Sequence, residues 1–262
     1  MNNITLSTAK TDKNDIAALT LFSEAFECTL KEAEGYFNTL LKNSLTLSLS
    51  FDNKKICQLF LIETDYILEK PSPIYYLYAA CTDIKYRGNG YMHRLIEYAK
   101  TVVVQNGKHG IVLRPANNGL FDFYASCGFN KVLYCKSFEY AKQENYGSTR
   151  PISAEEYITI REKILKDTPH IALKKELALG LEYHYNIFGN ESSICLAEKH
   201  TENGKVLIAE HLGEDLALNF ALKKLNCSTA TVKTVGECEP FSMLWFKDKE
   251  PQYNIYHGPC FE

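Results

Sequence analysis

The segment "YRGNGY", Tyr86 to Tyr91, sets an arginine and two glycines between an apolar run and a helical pattern. At a helix start the first backbone N–H groups lack an intrahelical acceptor, and the helix dipole presents its positive end there. Glycine lets a ligand approach bare backbone, and arginine adds a charge-assisted contact to phosphate or carboxylate. Arg87, Gly88, Asn89 and Gly90, followed by the amides of Tyr91 and Met92, therefore have the composition of an anion seat. A plain tight turn or a helix cap would use the same residues. The common phosphate loops do not fit: G-x-x-x-x-G-K-[ST] is absent, and His93 stands where the third glycine of G-x-G-x-x-G belongs.

The elements around this turn follow from hydrophobic spacing. "DIAALTLFSEAFECTLKEAEGYFNTLLKN" carries apolar residues at mixed three and four spacings and predicts two helices, the second capped by Thr29. "SLTLSLSFDNKKICQLFLIETDY" alternates on both sides of "DNKK", the pattern of a hairpin with one covered face. "PIYYLYAACTD" is almost wholly apolar and predicts a central strand, buried on both faces, that delivers the chain to the glycine turn. From Tyr91 to Gln105, residues Met92, Leu95, Ile96, Ala99, Val102 and Val103 recur at helical spacing, giving an amphipathic helix that ends at Asn106-Gly107. "HGIVLRPA" reads as a strand, "NGLFDFYASCGF" as a short helix closed by Gly128, and "NKVLYCKSFEYA" as a last strand. Helices, hairpin, central strand, helix, strand, helix and strand make an α/β layer structure.

Composition shifts at the polar stretch "KQENYGSTRPIS", which reads as a linker over 143–152. Ser153 and Glu156 then have the spacing of a capping box ahead of "YITIREKIL". A second helix around "LKKELALGLEYHYNIFG", strands near "SSICLAE" and "KVLIAEHL", a helix "EDLALNFALKKLN" and a strand "TATVKTV" follow. Phe241, Met243 and Trp245 alternate as a strand would, which suits core packing. The coarse order of the first part is repeated without its glycine signature, because Gly213-Glu214-Asp215 occupies the turn. Two carboxylates at a helix start suit capping and repel an anion.

Composition narrows the function classes. The 262 residues suit two domains, and 45% hydrophobic with 23% charged residues predicts a packed core. A net charge of -3 offers no bulk attraction to polyanions, which disfavours a nucleic-acid partner. The nine cysteines are odd in number, scattered and never spaced C-x-x-C, so neither a disulfide framework nor a metal site is expected. "MNNITLSTAKTDKND" lacks a basic region followed by an apolar run, and no stretch approaches the ~20 apolar residues of a membrane span. A cytoplasmic protein with no membrane partner is the expectation.

The pairing of "YRGNGYMHRLIEYA" with "PANNGLFDFYASCGF" resembles the GCN5-related N-acetyltransferase (GNAT) family, whose signature is Q/R-x-x-G-x-G/A after the central strand, followed by a tyrosine on a later short helix and "GF". The resemblance covers roughly residues 1–142 in element order and is specific over 80–129. It implies the acyl-CoA N-acyltransferase fold, an α/β (α+β) architecture with a mixed central sheet flanked by helices. It divides the chain into an acetyltransferase domain over 1–142 and a degenerate, similar C-terminal domain over 153–262, as in tandem members of the family.

The activity implied is transfer of an acetyl group from acetyl-CoA to a primary amine of a small molecule or peptide, without a metal. Arg87 takes the Q/R place and Gly90 the fixed glycine. Gly88, Asn89, Tyr91 and Met92 would supply backbone donors to the pyrophosphate of coenzyme A. Met92 departs from the pattern, which prefers glycine or alanine there. Asn117 stands seven residues before Tyr124, where the family often has an asparagine that contacts the cofactor. Tyr124 takes the place of the tyrosine that protonates the leaving thiolate, and Cys81 and Thr82 would bond the pantetheine arm through their backbone. Glu63, Asp83 and His93 are candidates for the base only by neighbourhood. A different class, a non-catalytic acyl-CoA-binding or interaction protein, would need the turn but not the phenol. A structural protein would need neither. The acceptor and the oligomeric state have no recognisable code.

Overall fold

The computed structural model describes residues 3–248, 251 and 253–259. Two compact units divide the chain: Met1–Asp65, Ser72–Lys131 and Met243–Glu250 in the first; Tyr66–Pro71, Val132–Ser242 and Pro251–Glu262 in the second. The division by motif over 1–142 and 153–262 and the division by contacts thus differ in where 66–71, 132–142 and 243–250 are counted.

In the first unit, β1 (Ile4–Lys10), β2 (Leu45–Phe51), β3 (Lys54–Ile67), β4 (Pro71–Thr82) and β5 (Gly110–Leu113) lie side by side in that order. β1, β2 and β3 are antiparallel neighbours, and β4 and β5 are parallel. The end of a later strand, Met243–Phe246, closes the far edge antiparallel to β5. β1 falls in what reads as a polar start. It is an edge strand in which only Ile4 and Leu6 are half-buried, so its sequence carries little hydrophobic signal.

Helices α1 (Ile16–Ala25) and α2 (Leu30–Asn38) form as expected, and Thr29 with Glu32 makes a complete capping box. The hairpin β2–β3 turns at Asp52-Asn53, both with positive φ. Its polar alternation does not mark a wet face. Ser48 pairs with Ser7 at 3.2 Å, Thr46 with Thr11 at 2.8 Å, and Gln58 donates to the carbonyl of Ala18 at 2.9 Å, all three being buried. Burial with at least one hydrogen bond each replaces the expected exposure, although Oε1 of Gln58 finds no partner among the described residues. Aromatic packing joins helices to sheet, with Phe22, Phe37 and Phe60 in edge contacts at 5.3 to 6.3 Å. Helix α3 (Tyr91–Gln105) buries the predicted stripe Leu95, Ile96, Ala99, Val102 and Val103 and ends on Asn106.

The second unit contains β6 (Lys131–Ala141), β7 (Arg150–Pro151), α5 (Ala154–Ile164), β8 (His170–Ile171), α6 (Ala178–His184), β9 (Tyr185–Gly189), β10 (Ser193–Glu202), β11 (Lys205–Gly213), α7 (Leu216–Lys224) and most of β12 (Thr229–Phe246). Preceding these, α4 (Gly119–Ser126) belongs to the first unit. β9, β10 and β11 form an antiparallel meander, β11 is parallel to β12, and β6 pairs with β12. Two expectations are corrected here. The helix read through "LKKELALGLEYHYNIFG" stops at His184, because Tyr185–Gly189 gains more from pairing with β10 and burying Tyr185, Ile187 and Phe188. Of the capping box at α5 only half forms: Ser153 accepts from the amide of Glu156, while the Glu156 carboxylate pairs with Arg150 at 2.6 Å.

His184 yields a pH prediction. Burial, reinforced by nearby Lys199, lowers its pKa to about 4 from the ordinary 6.5. The unfolded chain therefore binds a proton below pH 6.5 that the folded chain refuses until about 4. Stability is present above pH 6.5 and is lost as pH falls toward 4, by roughly 2 to 3 kcal/mol from this residue. A urea midpoint measured at pH 7 and pH 4.5 is expected to fall, and His184→Gln to flatten that fall. An equal drop in both proteins would remove His184 as its source.

Candidate functional site

Strand β4 and helix α4 build the site in the first unit. The β4–β5 ladder pairs only Tyr75–Leu77 with Ile111–Leu113, and β5 ends at Leu113. β4 runs on to Thr82 beyond that point. Ala79 has φ 50 inside this extension, a left-handed conformation uncommon outside glycine and often kept where function requires it. The released strand end and α4 border a cavity of about 540 Å³ lined by Ala80, Cys81, Thr82, Tyr86, Arg87, Gly88, Gly90, Tyr91, Met92, His93, Leu120, Phe123 and Tyr124, together with Ala25 and Phe26 at the end of α1.

After β4 the chain makes one 3-10 turn, Ile84–Tyr86, and enters the glycine turn. Gly88 and Gly90 have φ +78 and +75, and a Cβ added at either would meet nothing within 4 Å. The front of the turn is open space. Gly90 is the N-cap of α3 and no side chain caps that helix, whereas Asp15, Thr29 and Ser153 each accept from the first turn of α1, α2 and α5. The leading amides of α3 are thus available to an anion. Nε of Arg87 donates to the carbonyl of Thr82 at 3.1 Å, which ties the guanidinium to the strand end. Its terminal nitrogens retain donors for a phosphate. Asn89 works differently from its neighbours: its Nδ2 donates to the carbonyls of Tyr86 and Arg87 at 3.1 Å each and braces the loop.

Tyr124 lies on α4, 7% exposed, with edge contacts to Phe123 at 5.1 Å and Phe129 at 5.9 Å. Burial, then the neighbouring Cys127, raises its pKa to about 12. The phenol is protonated at neutral pH, as it is at the ordinary value, and the shift makes it a weaker acid than a free tyrosine. Burial likewise raises the pKa of the Cys81 thiol well above the ordinary range, which argues against its use as a nucleophile.

Of the residues singled out from sequence, Cys81, Thr82, Arg87, Gly88, Gly90, Tyr91, Met92 and Tyr124 share this cavity. Asn89 and Asn117 do not line it. Asn117 is exposed ahead of α4, with Oδ1 3.3 Å from where a Cβ on Gly119 would sit. Among the three neighbourhood candidates for a base, Glu63 pairs with Lys108 at 3.1 Å and lies outside the cavity. Asp83 is held below the usual carboxylate range by Lys54 at 2.7 Å and spends its other oxygen on the amide of Lys85. Only His93 lines the cavity, with Nδ1 3.3 Å from Sγ of Cys127. Ala25, Phe26, Leu120 and Phe123 were not singled out from sequence, since apolar residues at helix ends carry no local signal distinguishing a cavity wall from core.

Residues 31–129 match the model of the Acetyltransferase (GNAT) family. Over this segment the chain is similar to the GNAT family. The fold agrees along nearly the whole chain. A conserved protein of unknown function from Enterococcus faecalis superposes with a TM-score of 0.74 at 12% identity, covering 94% of this chain and 73% of that one. A GCN5-related N-acetyltransferase from Anabaena variabilis gives 0.71 at 14% identity, covering 92% and 72%. A tandem GNAT protein from the clavulanic acid biosynthesis pathway gives 0.58 at 11% identity, covering 94% of this chain and all of that one. No curated protein matches the sequence. At these identities the structural likeness establishes the GNAT fold, a mixed open sheet flanked by helices, and the tandem neighbour agrees with a two-domain arrangement. Among the described residues, no helix is long and apolar enough to cross a membrane, and no three His, Cys, Asp or Glu side chains cluster as metal ligands.

Proposed function

We propose that this protein is an acetyl-CoA-dependent N-acetyltransferase that acts on a primary amine of a small molecule or peptide. The observation that carries this is the presence in one cavity of an open glycine turn, a released strand end and a buried, protonated phenol. Acetyl-CoA, when bound, supplies an activated thioester. Arg87 and the amides from Gly88 to Met92 would hold its pyrophosphate, and the turn fits that group because no atom fills the space in front of it. The end of β4 around Ala80, Cys81 and Thr82, beyond its ladder with β5, offers backbone groups on that edge to the pantetheine arm and the carbonyl. Holding amine and thioester in line accounts for most of the acceleration. Tyr124 donates its proton to the departing sulfur.

The second unit is read as a degenerate counterpart that does not bind coenzyme A. Its strand–turn–helix, β11 to α7, is closed where the first is open. A Cβ on Gly213 would clash with the carbonyl oxygen of Ser192, and Ser193 Oγ accepts from the amide of Ala217 at 2.9 Å. Neither Glu214 nor Asp215 caps the helix as the sequence suggests. Asp215 makes no side-chain cap and lies 3.5 Å from His211, and the Ser193 hydroxyl takes over that work. The eight described cysteines are free thiols, in keeping with a reducing cytoplasmic setting.

Titration with acetyl-CoA, followed by an amine screen on wild type and Tyr124→Phe, tests the proposal. Tyr124→Phe is expected to lower kcat about 100-fold, a modest share for one general acid, with cofactor affinity nearly unchanged. Binding without turnover of any amine would favour the acyl-CoA-binding protein, the alternative supported by the lack of a carboxylate in the cavity wall. Unchanged turnover in Tyr124→Phe would remove the phenol from the mechanism.

A further inference from the structure

The acceptor side of the cavity is built without countercharge. Phe26, Ala25, Leu120 and Phe123 contribute no charged or hydrogen-bonding side chain, and no Asp or Glu lines the cavity. Nearby carboxylates are engaged elsewhere: Asp83 by Lys54, Glu32 by the Thr29 capping box and Glu97 by Lys100. Glu24, Glu27 and Asp122 are exposed beside the wall but do not line it.

Phe26 is the unusual member. It is 45% exposed, a state in which a large aromatic gains less from burial, yet its ring is packed against a neighbour. Its ring packs at 4.8 Å on the buried ring of Phe22, which also contacts Tyr36, Phe37 and Phe60. Its amide closes α1 on the carbonyl of Phe22 at 3.0 Å. Glu27 follows in a left-handed conformation, φ 50, and the amide of Cys28 bonds back to the carbonyl of Ser23 at 3.1 Å. A non-glycine residue at positive φ turns the chain directly after Phe26, whose ring lines the cavity.

Resting on the acetyltransferase reading above, we propose that the acceptor is a monoamine with an aromatic or extended apolar body, and that Phe26 sets this preference. A second ammonium on the acceptor would lie among Phe26, Phe123 and Leu120 with no carboxylate in the lining itself, Glu24, Glu27 and Asp122 standing outside it, whereas an apolar body gains by leaving water. Polyamines and other multiply charged acceptors are disfavoured by the same wall.

The test uses the full chain with acetyl-CoA and two probes of comparable reach, 2-phenylethylamine and putrescine, with free thiol release as the readout and coenzyme A affinity measured separately by titration. Wild type is expected to favour 2-phenylethylamine in kcat/KM by at least about tenfold, the scale on which apolar pockets discriminate. Phe26→Glu, at a half-exposed position, is expected to cut that preference about tenfold or more without changing coenzyme A affinity, and Phe26→Leu to retain most of it. Equal or better turnover of putrescine by wild type, or an unaltered preference in Phe26→Glu, would overturn the assignment. So would coenzyme A binding with neither amine acetylated, a result that leaves the cofactor seat standing. Absence of coenzyme A binding would instead sink the acetyltransferase reading on which this rests.

Discussion

Gly90→Glu is expected to abolish coenzyme A binding while leaving the protein folded. At φ +75 any L-residue carries about 1–2 kcal/mol of backbone strain, but a Cβ there meets nothing within 4 Å, so packing is not disturbed. A carboxylate at the start of α3 even recovers about 0.3–1 kcal/mol from the helix dipole. The same carboxylate stands in the space proposed for the pyrophosphate and repels it, a conflict worth several kcal/mol or more than about 1,000-fold in Kd. Gly90→Ala separates the two effects, since it brings the strain without the charge and should weaken binding about tenfold at most. Titration of the three proteins with coenzyme A, alongside a urea midpoint for each, decides the matter. Tight binding by Gly90→Glu would place the anion seat elsewhere.

The second large effect lies in the second unit. Arg161 is 0% exposed and so is the side chain of Glu210, to which its Nε donates at 2.9 and 3.2 Å. Its other nitrogens reach Glu162 at 2.8 Å, the carbonyl of Ile171 at 3.1 Å and the carbonyl of Gly258. Tyr157 donates to the same Glu210 carboxylate. One guanidinium thereby ties α5, β8, β11 and the chain near its end into one network. Arg161→Ala strands a buried carboxylate and opens a cavity beside it, so a loss of about 3–5 kcal/mol is expected in urea unfolding. Arg161→Met with Glu210→Leu removes both charges and is expected to be far less destabilised than either single change. A single-variant loss under about 1 kcal/mol would mean the network tolerates an uncompensated charge, against the general cost of burying one.

Much of the positioning scaffold was legible along the chain. The amphipathic run after "YRGNGY" forms α3 between Tyr91 and Gln105, and Thr29 caps α2 through Glu32. These are local facts, settled by 3.6-residue spacing and side-chain capping within four residues. The hairpin was legible in its turn but not in its exposure. Whether Ser48, Thr46 and Gln58 face water depends on Ser7, Thr11 and Ala18, which lie 35 to 41 residues away.

The candidate site divides along the same line. Sequence alone determined the type and spacing of Arg87, Gly88, Gly90 and Tyr124, and with them the GNAT resemblance, because glycine's access to positive φ and the start of a helix are properties of adjacent residues. Only the tertiary structure decided that Asn89 braces the loop and that Asn117 stays off the cavity wall. It likewise decided that Asp83 and Glu63 are held by Lys54 and Lys108, and that Phe26 lines the cavity. Ion pairing, burial and the shape of a cavity are set by partners distant in the chain, and a residue's own type does not record which partner it meets.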